Sequence, residues 1–365
     1  MRARDLGIDF QGTPGPLNAI TDVPGVEVGM VTLIEDPSPT VAARTGVTAI
    51  LPLGQIGVGT SVAAGFTSLN GNGELTGSHW LRETGALTCP VMITNTHAVG
   101  TVHRGVIDWM ARHRPAKAAE WLLPVVAETW DGYLNSINEP FIAAEHAGAA
   151  IDRASDGPVL EGSHGGGTGM NCYGFKGGNG TASRIVPFGS QNYVLGAFLQ
   201  CNFGSRSELV IRGVLMGDLD VPNPMASPSW LQADRLAGAG SVIAVIATSA
   251  PLLPSQCEAL SRRVTHGLAR TGTVGGHFSG DIFLAFSTAN PGALDSGFPT
   301  EPAGSLRTIE FIPWNRMDDF FEATVQCVEE AVINALVCNS DMVGRNGHLS
   351  PALPHDLLQE RLSLR

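Results

Sequence analysis

Charge is scarce in this chain. Only 15% of its 365 residues are Asp, Glu, Lys or Arg, against 43% hydrophobic residues. That composition excludes a disordered polypeptide, and so bare a surface implies that part of it is covered in subunit contacts. Basic residues are scarcer still, 22 Lys and Arg standing against 34 Asp and Glu for a net charge of −12. A nucleic-acid or anionic-membrane surface, which is built from Lys and Arg, is thereby excluded, and small cationic or amine-bearing ligands suit the balance better. No apolar run approaches the roughly 18 residues of a membrane helix, so a soluble chain is expected. The opening stretch MRARDLGIDF holds two arginines without the apolar core of a signal peptide, which points to the cytoplasm. Cys89, Cys172, Cys201, Cys257, Cys327 and Cys338 are scattered with no CxxC pair, which argues against a disulfide framework or a zinc site and leaves them as small buried apolar residues. HExxH, GxSxG and a phosphate loop ending in Gly-Lys-Ser/Thr are all missing, and with them the usual zinc-peptidase, serine-triad and nucleotide readings.

Glycine (45) and proline (23) are present in quantity, but they punctuate apolar segments instead of forming a linker. Strands are expected at 26–33, 46–53, 90–94, 193–199, 209–215, 241–248 and 281–287, several of them apolar throughout and therefore covered on both faces. Helical periodicity predicts helices over 254–270 and 317–338, with two more over 105–113 and 140–154. Sheets between helix layers follow, with no domain boundary visible by composition. The tail after Gly347 reads as an arm that docks on a neighbour.

Five segments carry candidate chemistry. At Gly240–Ser241, in front of the strand SVIAVIAT, a serine follows a glycine. If the bond between them is cut, the new α-amine becomes a base carried by the nucleophile itself. A strand that merely opens with a serine after a turn accounts for the same residues. In GGHFSGD (275–281), Ser279 and Asp281 project to one side at strand periodicity and can orient a second serine; an ordinary turn remains open. In QCNFG (200–204), the Asn202 amide can donate to an oxyanion or simply form a turn. In ETWDGYLN (128–135), Glu128, Asp131 and Tyr133 can seat an amine against a carboxylate and an aromatic face, or can form a surface turn. The glycine run EGSHGGGTGM (161–170) with FKGGNGTAS (175–183) reads as a tight turn at positive φ near a site or an interface. His97 and His103 lack a third ligand at a metal-binding spacing.

ITDVPGVEVG (20–29), TNTHAVG (94–100), DGYLN (131–135), GGGTGM (165–170), QCNFG (200–204), Gly240–Ser241 with IATSAPL (246–252), and SGDIF (279–283) occur in one order along the chain. Together they resemble the DmpA-type L-aminopeptidase/D-esterase family, which includes the β-peptidyl aminopeptidases. The resemblance implies an α/β (α+β) fold, an αββα sandwich similar to the ornithine acetyltransferases. It further implies a single domain over 1–365, self-cleaved into pieces 1–240 and 241–365 that stay in one core and assemble as tetramers of processed pairs. It assigns the nucleophile to Ser241, its supporting serine and acid to Ser279 and Asp281, and the oxyanion donor to Asn202, with Tyr133 in a similar place. The carboxylate that reads the substrate amine falls between Glu128 and Asp131, with Glu128 favoured. No cofactor or metal is called for. The implied activity is that of a serine aminopeptidase or amidase acting through an acyl-enzyme on short peptides, amino-acid amides or esters, β-peptides or D-amino-acid esters. An acyl transferase like the ornithine acetyltransferases and an unprocessed, non-catalytic homologue are the alternatives. Two departures bear on specificity: Ser249 where the family frequently has Asp, and GGHF at 275–278 in place of a smaller turn.

Overall fold

The computed structural model describes residues 1–226, 240–299 and 304–363. Its main elements in chain order are β1 (Glu27–Ser38), β2 (Val41–Leu51), β3 (Val62–Ser68), α1 (Ser78–Thr84), β4 (Ala86–Leu87), β5 (Val91–Asn95), α2 (Val99–His113), β6 (Val125–Thr129), α3 (Ala144–Asp152), β7 (Gly178–Phe188), β8 (Gln191–Asn202), β9 (Ser241–Thr248), α4 (Pro254–Ala269), β10 (Ile282–Ser287), α5 (Asp318–Val337) and α6 (His355–Ser363). The two largest sheets have the orders β1-β2-β5-β6 and β4-β3-β10-β9-β8-β7. Two neighbouring pairs are parallel, β5 with β6 and β9 with β10.

Side-chain alternation builds three apolar layers from these elements. In β9, Val242, Ala244 and Ile246 enter a core shared with Leu260 and Val264 of α4 and Val328 and Val332 of α5. Ile243, Val245 and Ala247 of the same strand face the other way, into a core with Ile50, Ile93 and Ala127 of the four-stranded sheet. The far side of that sheet offers Val47, Ala49 and Leu51 to Val102 and Val106 of α2 and to Ala147 and Ile151 of α3. The result is an αββα sandwich, in which the nearly continuous apolar strands β9 and β10 are buried on both faces.

Predicted helices 254–270 and 317–338 form as α4 and α5; the other two are shifted, α2 beginning earlier at Val99 and α3 later at Ala144. The predicted strand at 209–215 is instead a hairpin of Val210–Ile211 with Val214–Leu215, because Arg212 and Gly213 both take positive φ (52° and 76°) and reverse the chain. Strand β7 escaped sequence reading since its GNG start resembles a turn. A Cβ at Gly180 would lie 1.8 Å from the Ala331 carbonyl, so that glycine lets α5 lie against the strand. The C-terminal arm packs on its own chain: Leu353 and Leu358 join the core under α5, and Lys176 N–H donates to the Pro351 carbonyl.

Glu330 of α5 anchors the N-terminal segment. Its carboxylate is fully buried and pairs with Arg184 of β7 at 2.7 Å and with Arg4 at 2.6 Å, while Asn18 Nδ2 donates to it at 2.6 Å. Burial alone would raise its pKa, yet the two guanidiniums and Asn18 hold it below the usual carboxylate value. Glu330→Ala leaves Arg184 buried without its partner. We expect a loss of about 3–5 kcal/mol in denaturant unfolding, and a loss below about 1 kcal/mol would contradict this account.

Candidate active site

Ser241 opens β9 and lies opposite Asn202, the last residue of antiparallel β8. Directly opposed residues share a face, and alternation places this pair on the side of Ile243, toward the four-stranded sheet. Two pairs further in, on the same face, Gln200 ties the sheets together, donating from Nε2 to the Thr129 hydroxyl at 2.7 Å and to the Thr94 carbonyl at 3.2 Å. The Ser241–Asn202 pair therefore stands at the end of the inter-sheet layer, beside the last residues of β5 and β6. Asn202 is held at both ends of its amide: Nδ2 donates to the Trp130 carbonyl at 2.8 Å, and Oδ1 accepts from Asn171 N–H at 2.9 Å. Asn171 follows the glycine run, whose Gly162 and Gly165 take positive φ and whose Gly165 and Gly166 N–H groups donate to Thr32 and Thr48 between the sheets. The tight turn expected of this run thus leads directly to the site.

Gly240 admits no side chain, since a Cβ there would lie 2.0 Å from the Asn202 carbonyl oxygen. Its carbonyl accepts from Gly280 N–H at 3.1 Å, and Gly240 bridges Ser279 in parallel register. Ser279 Oγ donates to Asp281 Oδ1 at 2.5 Å, the same-side relation expected from their spacing. Val242 N–H donates to the same oxygen at 3.1 Å. Asn70 grips Asp281 twice, its Nδ2 donating to Oδ2 at 3.0 Å and its Oδ1 accepting the Asp281 N–H at 2.7 Å. Burial raises the Asp281 pKa, and the Ser279, Asn70 and Val242 donors oppose that rise.

Glu128, at the end of β6, accepts from Glu74 N–H at 3.1 Å and from the Thr96 hydroxyl. Its pKa is raised by burial against the pull of those two donors. Asp131 is fully buried one turn on, where it accepts from Asn135 Nδ2 at 3.0 Å and its carbonyl closes the turn through Leu134 and Asn135 N–H. Burial pushes its carboxyl up to about 7 although Thr45 and Asn135 favour the charged form. Tyr133 stacks on His348 at 4.8 Å and donates its hydroxyl to the Leu349 carbonyl at 3.1 Å. The structure thus brings Ser241, Asn202, Ser279 and Asp281 together from β9, β8 and the turn before β10, and joins the 128–135 segment to them through Trp130.

Asn70, Asn171, Thr96 and the Gly280 N–H escaped sequence reasoning. Asn70 stands 211 residues from Asp281 in a segment that reads as a plain Asn/Gly turn, and the backbone donors carry no residue signature. Ser249 does not bear on the site, contrary to expectation. It follows the last residue of β9, where its Oγ accepts from Val194 N–H, the length of an eight-residue strand from Ser241. The 275–278 turn does border the site, tied to the segment after β3 by Asn70 and Asn72 side chains that donate to the Gly276 and Phe278 carbonyls. Val274 and Phe278 project from it into solvent. Among the described residues, no cluster of three or more His, Cys, Asp and Glu is placed to hold a metal ion, and no helix is long and apolar enough to cross a membrane.

Residues 18–350 match the model of peptidase family S58. The β-peptidyl aminopeptidase BapA of Sphingosinicella microcystinivorans is 44% identical over 364 residues, covering 97% of this chain and 90% of that protein. Among solved structures, the L-aminopeptidase D-Ala-esterase/amidase of Ochrobactrum anthropi, described as a variant of the Ntn hydrolase fold, superposes with a TM-score of 0.90 at 43% identity, covering 100% of this chain and 98% of that one. The β-aminopeptidase of a Burkholderia species does so with a TM-score of 0.90 at 41% identity, covering 100% and 99%. The chain belongs to peptidase family S58 and is an aminopeptidase of the Ntn hydrolase fold.

Proposed function

We propose that Ser241 is the nucleophile of a serine aminopeptidase that first cuts its own chain before Ser241 and then hydrolyses N-terminal residues from short peptides, amino-acid amides or esters, with β-peptides among its substrates. The observation that carries this reading is the placement of Ser241 directly behind a glycine, opposite Asn202 and beside the Ser279–Asp281 pair. A serine hydroxyl becomes a nucleophile when a neighbouring group takes its proton. Asp281 fixes the Ser279 hydroxyl as its donor, which leaves the Ser279 oxygen to accept from Ser241. After the cut, the Ser241 α-amine, with an ordinary pKa of about 7.7–8.0, adds a second base on the same residue.

The acyl-enzyme forms when Ser241 Oγ bonds to the substrate carbonyl carbon and the amine leaves with the proton; water then restores Oγ–H. One Asn202 N–H is spent on Trp130, and the other serves the oxyanion. We assign Tyr133 to the pocket wall, since its hydroxyl is engaged by Leu349. Glu128 reads the substrate amine from the end of β6, a role that the two neutral donors on its carboxylate leave open to a cation. Asp131 instead braces the turn that delivers the Trp130 carbonyl. The net charge of −12 suits amine-bearing substrates. A cytoplasmic homo-oligomer, a tetramer of processed pairs, completes the proposal.

Intact-mass analysis should find two pieces, one ending at Gly240 and one beginning at Ser241, while Ser241→Ala remains whole and inactive; a full-length, active wild-type chain would falsify the processing claim. Asn202→Ala should lower kcat by roughly 100- to 1000-fold, and a loss below tenfold would remove Asn202 from the oxyanion role. Glu128→Gln should raise KM for a free-amine p-nitroanilide by about 10- to 100-fold and abolish the preference for it over the N-acetylated analogue. If Asp131→Asn does this instead, the amine is read by Asp131. A carboxyl raised in the folded state binds its proton more tightly there, so Asp131 stabilises least once ionised: its contribution falls as pH rises from its ordinary value near 4 toward about 7. Asp131→Asn should therefore gain thermal stability relative to wild type across that window, and a constant difference would contradict the burial account.

A further inference from the structure

We infer that the backbone N–H of Gly280 is the oxyanion donor of the self-cleavage step, a separate device from the Asn202 amide that serves peptide turnover. The inference rests on the reading of Gly240–Ser241 as the bond that is cut. The carbonyl that Ser241 must attack in that step is that of Gly240, and its oxygen already accepts from Gly280 N–H at 3.1 Å. Asn202 instead sends one amide N–H to the Trp130 carbonyl and accepts Asn171 N–H on Oδ1, so the donor already seated on the Gly240 oxygen is Gly280 N–H.

The donor is built in from behind. A Cβ at Gly280 would lie 2.2 Å from the Asn72 carbonyl oxygen and 2.7 Å from the Gly73 Cα, so the segment after β3 presses against it. On either side of that contact, Asn72 Nδ2 donates to the Phe278 carbonyl at 2.7 Å, Leu69 N–H donates to the Asp281 carbonyl at 2.9 Å, and Asn70 holds the Asp281 backbone N–H and carboxylate. Residues 278–281 are thereby pinned at four points, and the N–H between them cannot swing away as charge develops. Such preorganisation distinguishes an oxyanion donor from a solvent dipole.

The chemistry balances without any added reagent but water. Ser241 Oγ bonds to the Gly240 carbonyl carbon, and the carbonyl oxygen takes up negative charge facing Gly280 N–H. Collapse breaks the bond from that carbon to the Ser241 nitrogen, which receives the proton that Oγ gave up through Ser279. An ester now joins Gly240 to Ser241 Oγ. Water adds to it, the carbon–oxygen bond breaks, Oγ–H is restored, and Gly240 ends as a carboxylate.

The test removes the N–H without adding atoms. Glycolic acid placed at position 280 of the full chain turns that amide into an ester, and the same exchange at Leu284, with 2-hydroxyisocaproic acid, serves as the control inside β10. Cleavage of newly made chain is followed by intact mass. The 280 exchange should slow cleavage by roughly 100- to 1000-fold, while the 284 exchange cuts at the rate of the unsubstituted chain. Cleavage of the 280 variant at the unsubstituted rate would overturn the inference. Equal slowing in both variants would overturn it too, since the Gly280 bond would then be a ladder bond like any other. An unsubstituted chain that stays whole marks a different failure, that of the Gly240–Ser241 reading itself, and takes the inference with it.

Discussion

A carboxylate taken out of water is tolerated only where hydrogen bonds replace its hydration, and Asp281 is buried with three such partners. The Ser279 hydroxyl and the Val242 N–H share one of its oxygens, and the Asn70 amide takes the other. These donors come from three segments that are distant in sequence: the turn before β10, the second residue of β9, and the segment after β3. One side chain thus fixes the start of the strand that carries Ser241, the orientation of the Ser279 hydroxyl, and the stretch that presses on Gly280. Were Asp281 replaced by an apolar residue, the Val242 N–H and the Asn70 amide would be left as buried donors without acceptors, a cost paid by each of those segments.

The layers of the sandwich give this arrangement its place. Strands β8 and β9 are buried on both faces, so their register is set from both sides: a slip of one residue would send Ile243, Val245 and Ala247 into the helix layer and Val242, Ala244 and Ile246 into the layer between the sheets. Because register is so fixed, Ser241 stands opposite Asn202 and nowhere else. Gln200 then joins the six-stranded sheet to the ends of β5 and β6, and the Trp130 carbonyl just past β6 receives the Asn202 amide. Both sheets contribute to the site, although Ser241 and Asn202 belong to one of them and Ser279 and Asp281 to the turn that leads into its strand β10.

Much of the site was legible because the residues concerned lie close together in the chain or on apolar strands whose periodicity is plain. Ser279 and Asp281 are two residues apart, and their hydrogen bond follows from strand spacing alone. The serine after Gly240 stands at the head of an unbroken apolar run. The partners of these residues were not legible. Asn70, Thr96 and Asn171 are ordinary turn residues by sequence, and only their positions in space make them ligands of Asp281, Glu128 and Asn202. Ser249 misled for the converse reason: it is near Ser241 in number, but an extended strand carries it to the opposite end of the sheet.

The sequence by itself determined the class of fold, through apolar strands too continuous to face water and helices with one apolar stripe, and it determined the order of the chemistry-bearing motifs. Those properties are local, since periodicity and composition act over a few residues. The tertiary structure decided which backbone groups meet them: that Gly280 N–H reaches the Gly240 carbonyl, that Trp130 holds Asn202, and that the C-terminal arm closes on its own chain at Tyr133 and Lys176. Backbone donors and acceptors are the same at every residue except proline, so no side-chain pattern announces them, and packing between segments distant in the chain selects the ones that matter.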